Sequence, residues 1–203
     1  MTKKLLHRLA TRRKQSRIVN KNFTLIAKDC TGAMLLHELG LRFDTPTVNL
    51  FFTAGDFVKF CAGFRTYMQR ELVEDTTAGE MFPVGLLGDI RIYFRHYKTF
   101  QEAKSKWEER SSRIHWDNLF FLMTDGADSS DALAAEFDAL PYKHKALLTY
   151  KDYPGLKSAV KLTFRDEIGE NGVGAPALFK FKGFFSLHKV IDDWDYISFI
   201  NNS

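Results

Sequence analysis

Apolar residues fall along this chain in runs and stripes whose period changes from one stretch to the next. Phe23-Thr24-Leu25-Ile26-Ala27-Lys28 has the composition of a buried strand. It leads into Asp29-Cys30-Thr31-Gly32, and Ala33 to Leu39 then reads as a short helix closed by Gly40. A second strand is predicted at Val48–Phe52. Thr53 caps the next helix, with Asp56 near its positive end. Phe57, Phe60, Cys61, Phe64, Tyr67 and Met68 recur at spacings of three and four, the core stripe of a helix running to about Val73.

After a loop from Glu74 to Phe82, Pro83 to Gly88 is extended. Ile90, Ile92 and Phe94 then alternate with Arg91, Tyr93 and Arg95, a strand with one polar face. Thr99 and Glu102 have the spacing of a capping box and start a helix whose buried side is Phe100, Ala103, Trp107 and Ile114. Leu119 to Met123 is apolar throughout, as a central parallel strand must be. Ser129 or Ser130 caps a helix through Leu140, ended by Pro141. Short strands are predicted at Ala146–Tyr150, Ser158–Phe164 and Ala177–Phe181, with a polar loop from Asp166 to Gly174 and a last helix from Val190 to Ile200.

Alternating strands and helices predict a three-layer, Rossmann-like α/β fold: a mostly parallel, mixed sheet with helices on both faces. The alternating 90–95 segment is expected to be an antiparallel strand at one edge of that sheet. The expected organisation is a basic N-terminal arm, residues 1–22, followed by a single domain, residues 23–203.

Composition sharpens this picture. The 203 residues include 19 Phe against 7 Tyr and 3 Trp, so large aromatic side chains dominate the core and can line a cleft. No apolar run approaches the roughly 18–20 residues that span a bilayer, and no signal-peptide pattern follows the charged N-terminus. The two cysteines, Cys30 and Cys61, form no CxxC pair. Reduced thiols and a cytoplasmic location are the expectation.

The formal net charge of +4 is unevenly distributed. Residues 1–22 hold eight basic side chains and no acidic one, and the remainder holds 21 basic and 25 acidic. Within the arm, residues 2–17 have the pattern of a helix with Leu5, Leu6 and Leu9 on one face and Arg8, Arg12 and Arg13 around it. Such a segment either sits on an anionic membrane surface, making the protein peripheral at the inner face, or is a solvated terminus. Nucleic acid is not expected as a partner, because no aromatic residue interleaves with the charges before Phe23.

The run Phe82-Pro83-Val84-Gly85-Leu86-Leu87-Gly88-Asp89-Ile90, then His96-Tyr97-Lys98, Lys106-Trp107-Glu108 and Trp116-Asp117-Asn118-Leu119-Phe120 resembles a bacterial domain family of unknown function. Its members are commonly labelled exopolysaccharide biosynthesis proteins. Phe23 to Ile26 followed by Cys30 and Gly32 resembles that family's first strand and turn. The likeness covers about residues 23–165. Lys28-Asp29 and Thr31 depart from the family pattern, which calls for Ser or Asn before the cysteine and an aromatic after it. The resemblance implies an α/β fold and a place in cell-surface polysaccharide pathways, without a reaction.

Four constellations carry possible chemistry. The turn Asp29-Cys30-Thr31-Gly32 follows the first strand, on the edge where open α/β sheets bind ligands. At a helix N-terminus there, Cys30 can be an activated nucleophile, or backbone N–H groups can hold an oxyanion or phosphate. The structural alternative is a buried thiol beside a glycine turn, with Asp29 as cap. His96 is a candidate general base for a sugar hydroxyl, its tautomer held by Asp89, or else a histidine satisfied by backbone. Trp116-Asp117-Asn118 combines a ring face with polar groups suited to a pyranose, although a position before a parallel strand favours a structural role. Asp125, with Asp128 after it, is a rival carboxylate source at the ligand edge.

Sharper motifs fail. Asp193-Trp194-Asp195 matches the DxD of glycosyltransferases only in its letters, and Gly169, Gly172 and Gly174 precede a strand where a phosphate cradle would follow one. The histidines have no ligand spacing, so no metal is expected. The expectation is a transferase acting on a sugar or polysaccharide intermediate. Acyl transfer is slightly favoured and acyl-coenzyme A is a possible donor; Cys30 and His96 would be the catalytic residues. The alternative is a non-catalytic glycan-binding or membrane-surface assembly protein.

Overall fold

Four parallel strands form the main sheet in the order β1-β5-β6-β7: β1 Thr24–Ala27, β5 Leu119–Thr124, β6 His144–Thr149 and β7 Ala159–Lys161. The computed structural model describes residues 3–163, 174–183 and 186–202. Both faces of this sheet are covered, which is why the central strand β5 is apolar from Leu119 to Met123 and the middle of β6, Ala146 to Leu148, is apolar as well. Leu25, Ala27, Phe120, Leu122, Ala146 and Leu148 point into one core and Ile26, Phe121, Met123 and Leu147 into the other. The period-two alternation of the strand thus becomes a division between two layers.

The first of these cores is closed by α2 (Cys30–Glu38) and by the C-terminal segment, a 3-10 turn at Val190–Asp193 followed by α8 (Tyr196–Asn201). The second is closed by α3 (Ala54–Ala62), α4 (Phe64–Tyr67), α5 (Phe100–Ser111) and α6 (Asp131–Ala139). Phe52, Phe57, Phe60, Phe64, Phe94, Phe120, Phe121 and Phe137 are fully buried. Each is worth about 1.5–3 kcal/mol by transfer from water. Edge-on pairs such as Phe60–Phe64 (5.2 Å) and Phe64–Phe121 (5.7 Å) fix their orientation.

The α/β class and the helix-covered parallel sheet agree with the sequence pattern, but the antiparallel strand is not on that sheet. It belongs to a second, three-stranded antiparallel sheet of β2 (Leu72–Glu74), β3 (Val84–Leu87) and β4 (Ile90–Tyr93). β3 and β4 are joined by Gly88-Asp89, and Gly88 has φ +69°, a conformation that glycine adopts without strain.

Other elements also differ from the pattern. Val48–Phe52 is alternately buried, but its backbone bends at Val48-Asn49, where Asn49 has φ +63°, and it pairs with β4 only at Phe51, while the Phe52 N–H donates to the Lys28 carbonyl (2.9 Å). It straps the end of β1 to the second sheet instead of extending either one. The predicted helix to Val73 breaks at Gly63 and again before β2. Ala177–Phe181, expected as a strand, begins inside a helical turn, α7 (Ala175–Leu178), for which Pro176 in its first turn is preorganised, and pairs only at Phe181, which bridges to Lys189. Asp195 accepts from the Ser198 N–H (3.1 Å) and starts α8, dividing the predicted last helix in two. The expected loop from Asp166 lies outside the described residues up to Gly174.

The basic arm is a helix, α1 (Lys3–Ser16), and it is docked. Lys14 bridges Glu38 (3.2 Å) and Asp192 (2.6 Å), joining three elements, and Lys189 also reaches Glu38. Although burial works against its charge, Asp192 and Tyr196 hold the Lys14 ammonium above its ordinary range. The same contacts hold the Asp192 carboxyl below its own, against the opposing effect of its burial. Gln15 donates to the Glu38 carbonyl (2.9 Å), Ile18 is buried, and Asn201 ties the Val19 N–H (2.9 Å) to the Arg17 carbonyl (2.8 Å).

Candidate functional site

The carboxyl ends of β1 and β5 deliver Lys28-Asp29 and Ala127-Asp128 to the rim of a cavity of about 820 Å³. Its other walls are Phe51 and Phe52, Tyr93, Arg95 and His96, Glu80, and Gly174 to Pro176. A second hollow of about 610 Å³ adjoins it and reaches Phe43, Asn49, Phe179 and Lys189; Cys30, Met34 and His96 line both. The turn after the first strand and the segment around His96 therefore meet in one place, although residues 30 and 96 come from different layers.

Within the turn, Asp29 is the N-cap of α2. One carboxylate oxygen accepts from the Thr31 N–H (2.8 Å) and the other from the Thr124 hydroxyl (2.8 Å). This corrects the expected oxyanion site: the carboxylate of Asp29 itself occupies the positive end of the helix. The activated thiol is corrected too. Burial, and then the charge of Asp29, push Cys30 up to about 11, against a smaller opposing effect of Arg95. Its sulfur faces the Leu50 carbonyl at 3.9 Å. A thiol so placed stays protonated at neutral pH and is a poor nucleophile.

Thr31 is buried behind the turn, and Gly32 is required by packing. A Cβ on Gly32 would lie 2.5 Å from that of Ala27, so its absence lets α2 close onto β1.

Lys28 is buried and donates to the Thr124 carbonyl (3.3 Å) and to Asp128 (2.8 Å), whose other oxygen accepts from the Ala54 N–H at the start of α3 (2.6 Å). Despite partial burial, these donors hold the Asp128 carboxyl below its ordinary range. A carboxylate thus sits at the start of each helix that points at the cavity: Asp29 caps α2, and Asp128 accepts from the first N–H of α3, whose cap is Thr53. Arg95 and His96 differ: both are exposed, and among the described residues neither makes a hydrogen bond or ion pair. The rings of Phe51 and Tyr93 stack at 4.7 Å and 9° to form the aromatic wall beside them.

The remaining candidates lie elsewhere. Asp89 does not hold His96; at the β3–β4 turn it accepts from Tyr67 (2.7 Å) and Lys59 (2.9 Å), which lower it to about 2. Asp125 is buried against the Thr149 hydroxyl (2.7 Å), set back from the cavity wall. Trp116, Asp117 and Asn118 sit at the opposite, amino end of the sheet. Trp116 packs on Phe64 (5.4 Å) under the Arg65 guanidinium (4.9 Å), and Asn118 donates to the Asn22 carbonyl (2.8 Å), joining the entries to β1 and β5. Asp117 is exposed beside them. Asp193 accepts from the Thr163 N–H (3.1 Å) and pairs with Lys182 and His188, and Asp195 caps α8, so the DxD letters serve local structure. Among the described residues no His, Cys, Asp and Glu cluster could hold a metal ion.

Sequence reasoning missed Arg95, Tyr93 and Phe51 as parts of this site. The signal for the first two was present in the alternation that puts Arg91, Tyr93 and Arg95 on one polar face of the strand segment.

The family described as "Domain of unknown function (DUF1919)" matches residues 1–201. The chain belongs to the DUF1919 family. A relative from Haemophilus influenzae (strain ATCC 51907 / DSM 11121 / KW20 / Rd), named "Uncharacterized protein", is 36% identical over 189 residues, covering 93% of this chain and 89% of its own length. The DUF1919 match takes in α1 as well as the sheet. Among the described residues of this DUF1919 chain, no helix is long and apolar enough to cross a membrane.

Proposed function

We propose that the cavity binds a sugar, free or as part of a larger intermediate, and that the protein transfers a group to or from it, with His96 as general base for a sugar hydroxyl. The observation that carries this reading is the meeting, in one cavity, of an imidazole and a guanidinium without partners among the described residues and an aromatic wall. A pyranose offers an apolar C–H face to rings such as Phe51 and Tyr93, and its hydroxyls need both donors and acceptors. Arg95 and Glu80 supply one of each at the rim. Arg95 also suits an anionic substituent, such as the phosphate of an activated sugar. The cytoplasmic face of a bacterial inner membrane, in exopolysaccharide synthesis, is where such a transferase fits the family resemblance.

The self-capped α2 turn removes the reason to prefer acyl transfer, and with it the role of acyl-coenzyme A. The raised Cys30 thiol and the distance of Asp89 from the imidazole support a second reading, in which the same cavity holds a glycan without changing it. Both are tested by ligand-observed NMR of the protein against sugar phosphates, nucleotide sugars and oligosaccharides. Arg95→Ala is expected to weaken binding of charged ligands at least tenfold, the size of one charge-assisted contact. His96→Ala should leave binding within about threefold while abolishing turnover. Sugar bound without any turnover by the wild-type protein would favour the holding role, turnover retained by His96→Ala would remove His96 as the base, and the absence of any bound sugar would remove both readings.

A further inference from the structure

We propose that the outward face of α1 docks the folded protein onto an anionic lipid bilayer. The inward face of this helix is used up by the domain. Leu6, His7, Ala10, Lys14 and Gln15 are half-buried, His7 stacks on Phe181 (4.3 Å, 14°) near the start of the helix, and the Lys14–Glu38–Asp192 contacts hold its end. What remains outside is Leu5, Arg8, Leu9, Arg12, Arg13 and Ser16, one face at spacings of three and four. Leu5 and Leu9 are 44% and 47% exposed, among the most exposed large apolar side chains of the described residues.

Two features of this face point to one partner. Arginines without a nearby acid on their own helix attract a negatively charged surface, whereas the rest of the chain carries an excess of acidic over basic groups and would be held off. The polarity is therefore directional. Two leucines set among the arginines add an apolar component that an interfacial helix inserts at the headgroup boundary, and that a phosphate backbone in water would not use. Nor does the stripe present an aromatic ring on which a base could stack. Because α1 is held at both ends, the protein would dock in one orientation. The proposal is independent of the reading of the cavity.

The test is co-sedimentation of the full chain with phosphatidylglycerol-rich vesicles and with phosphatidylcholine vesicles. Binding is expected to the first and not the second, and to weaken as salt is raised. The triple variant Arg8→Gln, Arg12→Gln, Arg13→Gln should lose about a hundredfold in partitioning, and the double variant Leu5→Ser, Leu9→Ser about tenfold. Both should keep the wild-type circular dichroism and melting temperature, because the altered side chains face solvent. Binding that survives the arginine changes, or that is equal on phosphatidylcholine, overturns the proposal. So does binding unaffected by the leucine changes and matched by an RNA homopolymer at the same salt, which would make the face a general polyanion surface.

Discussion

The two ends of the parallel sheet treat their polar groups in opposite ways. At the amino end, Trp116, Asn118 and the backbone entering β1 and β5 satisfy one another: Asn118 donates to the Asn22 carbonyl and its own carbonyl accepts from the Thr24 N–H (3.0 Å). At the carboxyl end Asp29 and Asp128 are likewise engaged, but Arg95 and His96 have no partner among the described residues, and a cavity lies between them. Apart from the exposed Asp117, the amino end is closed by its own residues, whereas the carboxyl end leaves donors facing a cavity. A polar group that the fold does not use is available for something the fold does not contain, and that distinction separates the site from a region with equally suggestive residues.

Substitutions can break or sharpen this contrast. The largest expected effect is Gly32→Val, which drives a side chain into Ala27 and should cost about 3 kcal/mol or more in urea unfolding as α2 lifts from β1. Trp116→Ala at the closed end should cost about 2 kcal/mol, below the value for a fully buried tryptophan because the ring is only partly covered, and should leave sugar binding unchanged. If it abolished binding instead, the amino end would be the site after all. Asp29→Ala removes the cap of α2 and should cost about 1 kcal/mol. Arg95→Ala and His96→Ala should lie within about 0.5 kcal/mol of wild type, since neither side chain has a partner among the described residues, and their effect should appear only in ligand binding or turnover.

The last effect leaves stability at neutral pH unchanged and shows only as a pH dependence. With Cys30 pushed up to about 11 from an ordinary value of 9.0, the folded state holds this proton more tightly than the unfolded one. Its contribution to stability is intact below about pH 9 and is lost as pH rises towards 11, and Cys30→Ser should flatten that part of the alkaline stability curve. Alkylation of Cys30 by iodoacetamide should stay slow near neutrality and accelerate only towards pH 11; a rate at neutral pH equal to that of free cysteine would restore the nucleophile reading.

Local signals were legible wherever one side chain acts on its neighbours. Thr53, Thr99 and Ser130 cap the helices assigned to them, accepting from Asp56, Glu102 and Leu133 N–H groups. The stripe from Phe57 to Phe64 is buried, as its spacing requires. Val48–Phe52 was misread because its alternation records burial, while a strand also needs a partner along its length, which the sequence does not show. Ala177–Phe181 was misread because a short apolar run fits a strand or a helical turn equally, and Pro176 was the overlooked discriminator. Pairing His96 with Asp89 used nearness in sequence as a substitute for nearness in space. The β3–β4 turn carries Asp89 to Lys59 and Tyr67 instead.

The sequence by itself determined the α/β class, the main parallel strands, the caps and the charge of the first helix, because periodicity and capping act over a few residues. Only the tertiary structure decided that the antiparallel strands form their own sheet, that α1 is held by Lys14, and that Arg95 and His96 share a cavity with Cys30 while Trp116 does not. These outcomes depend on which distant groups satisfy one another's hydrogen bonds and charges. That competition is settled by packing across the whole chain and leaves no mark in any short stretch of it.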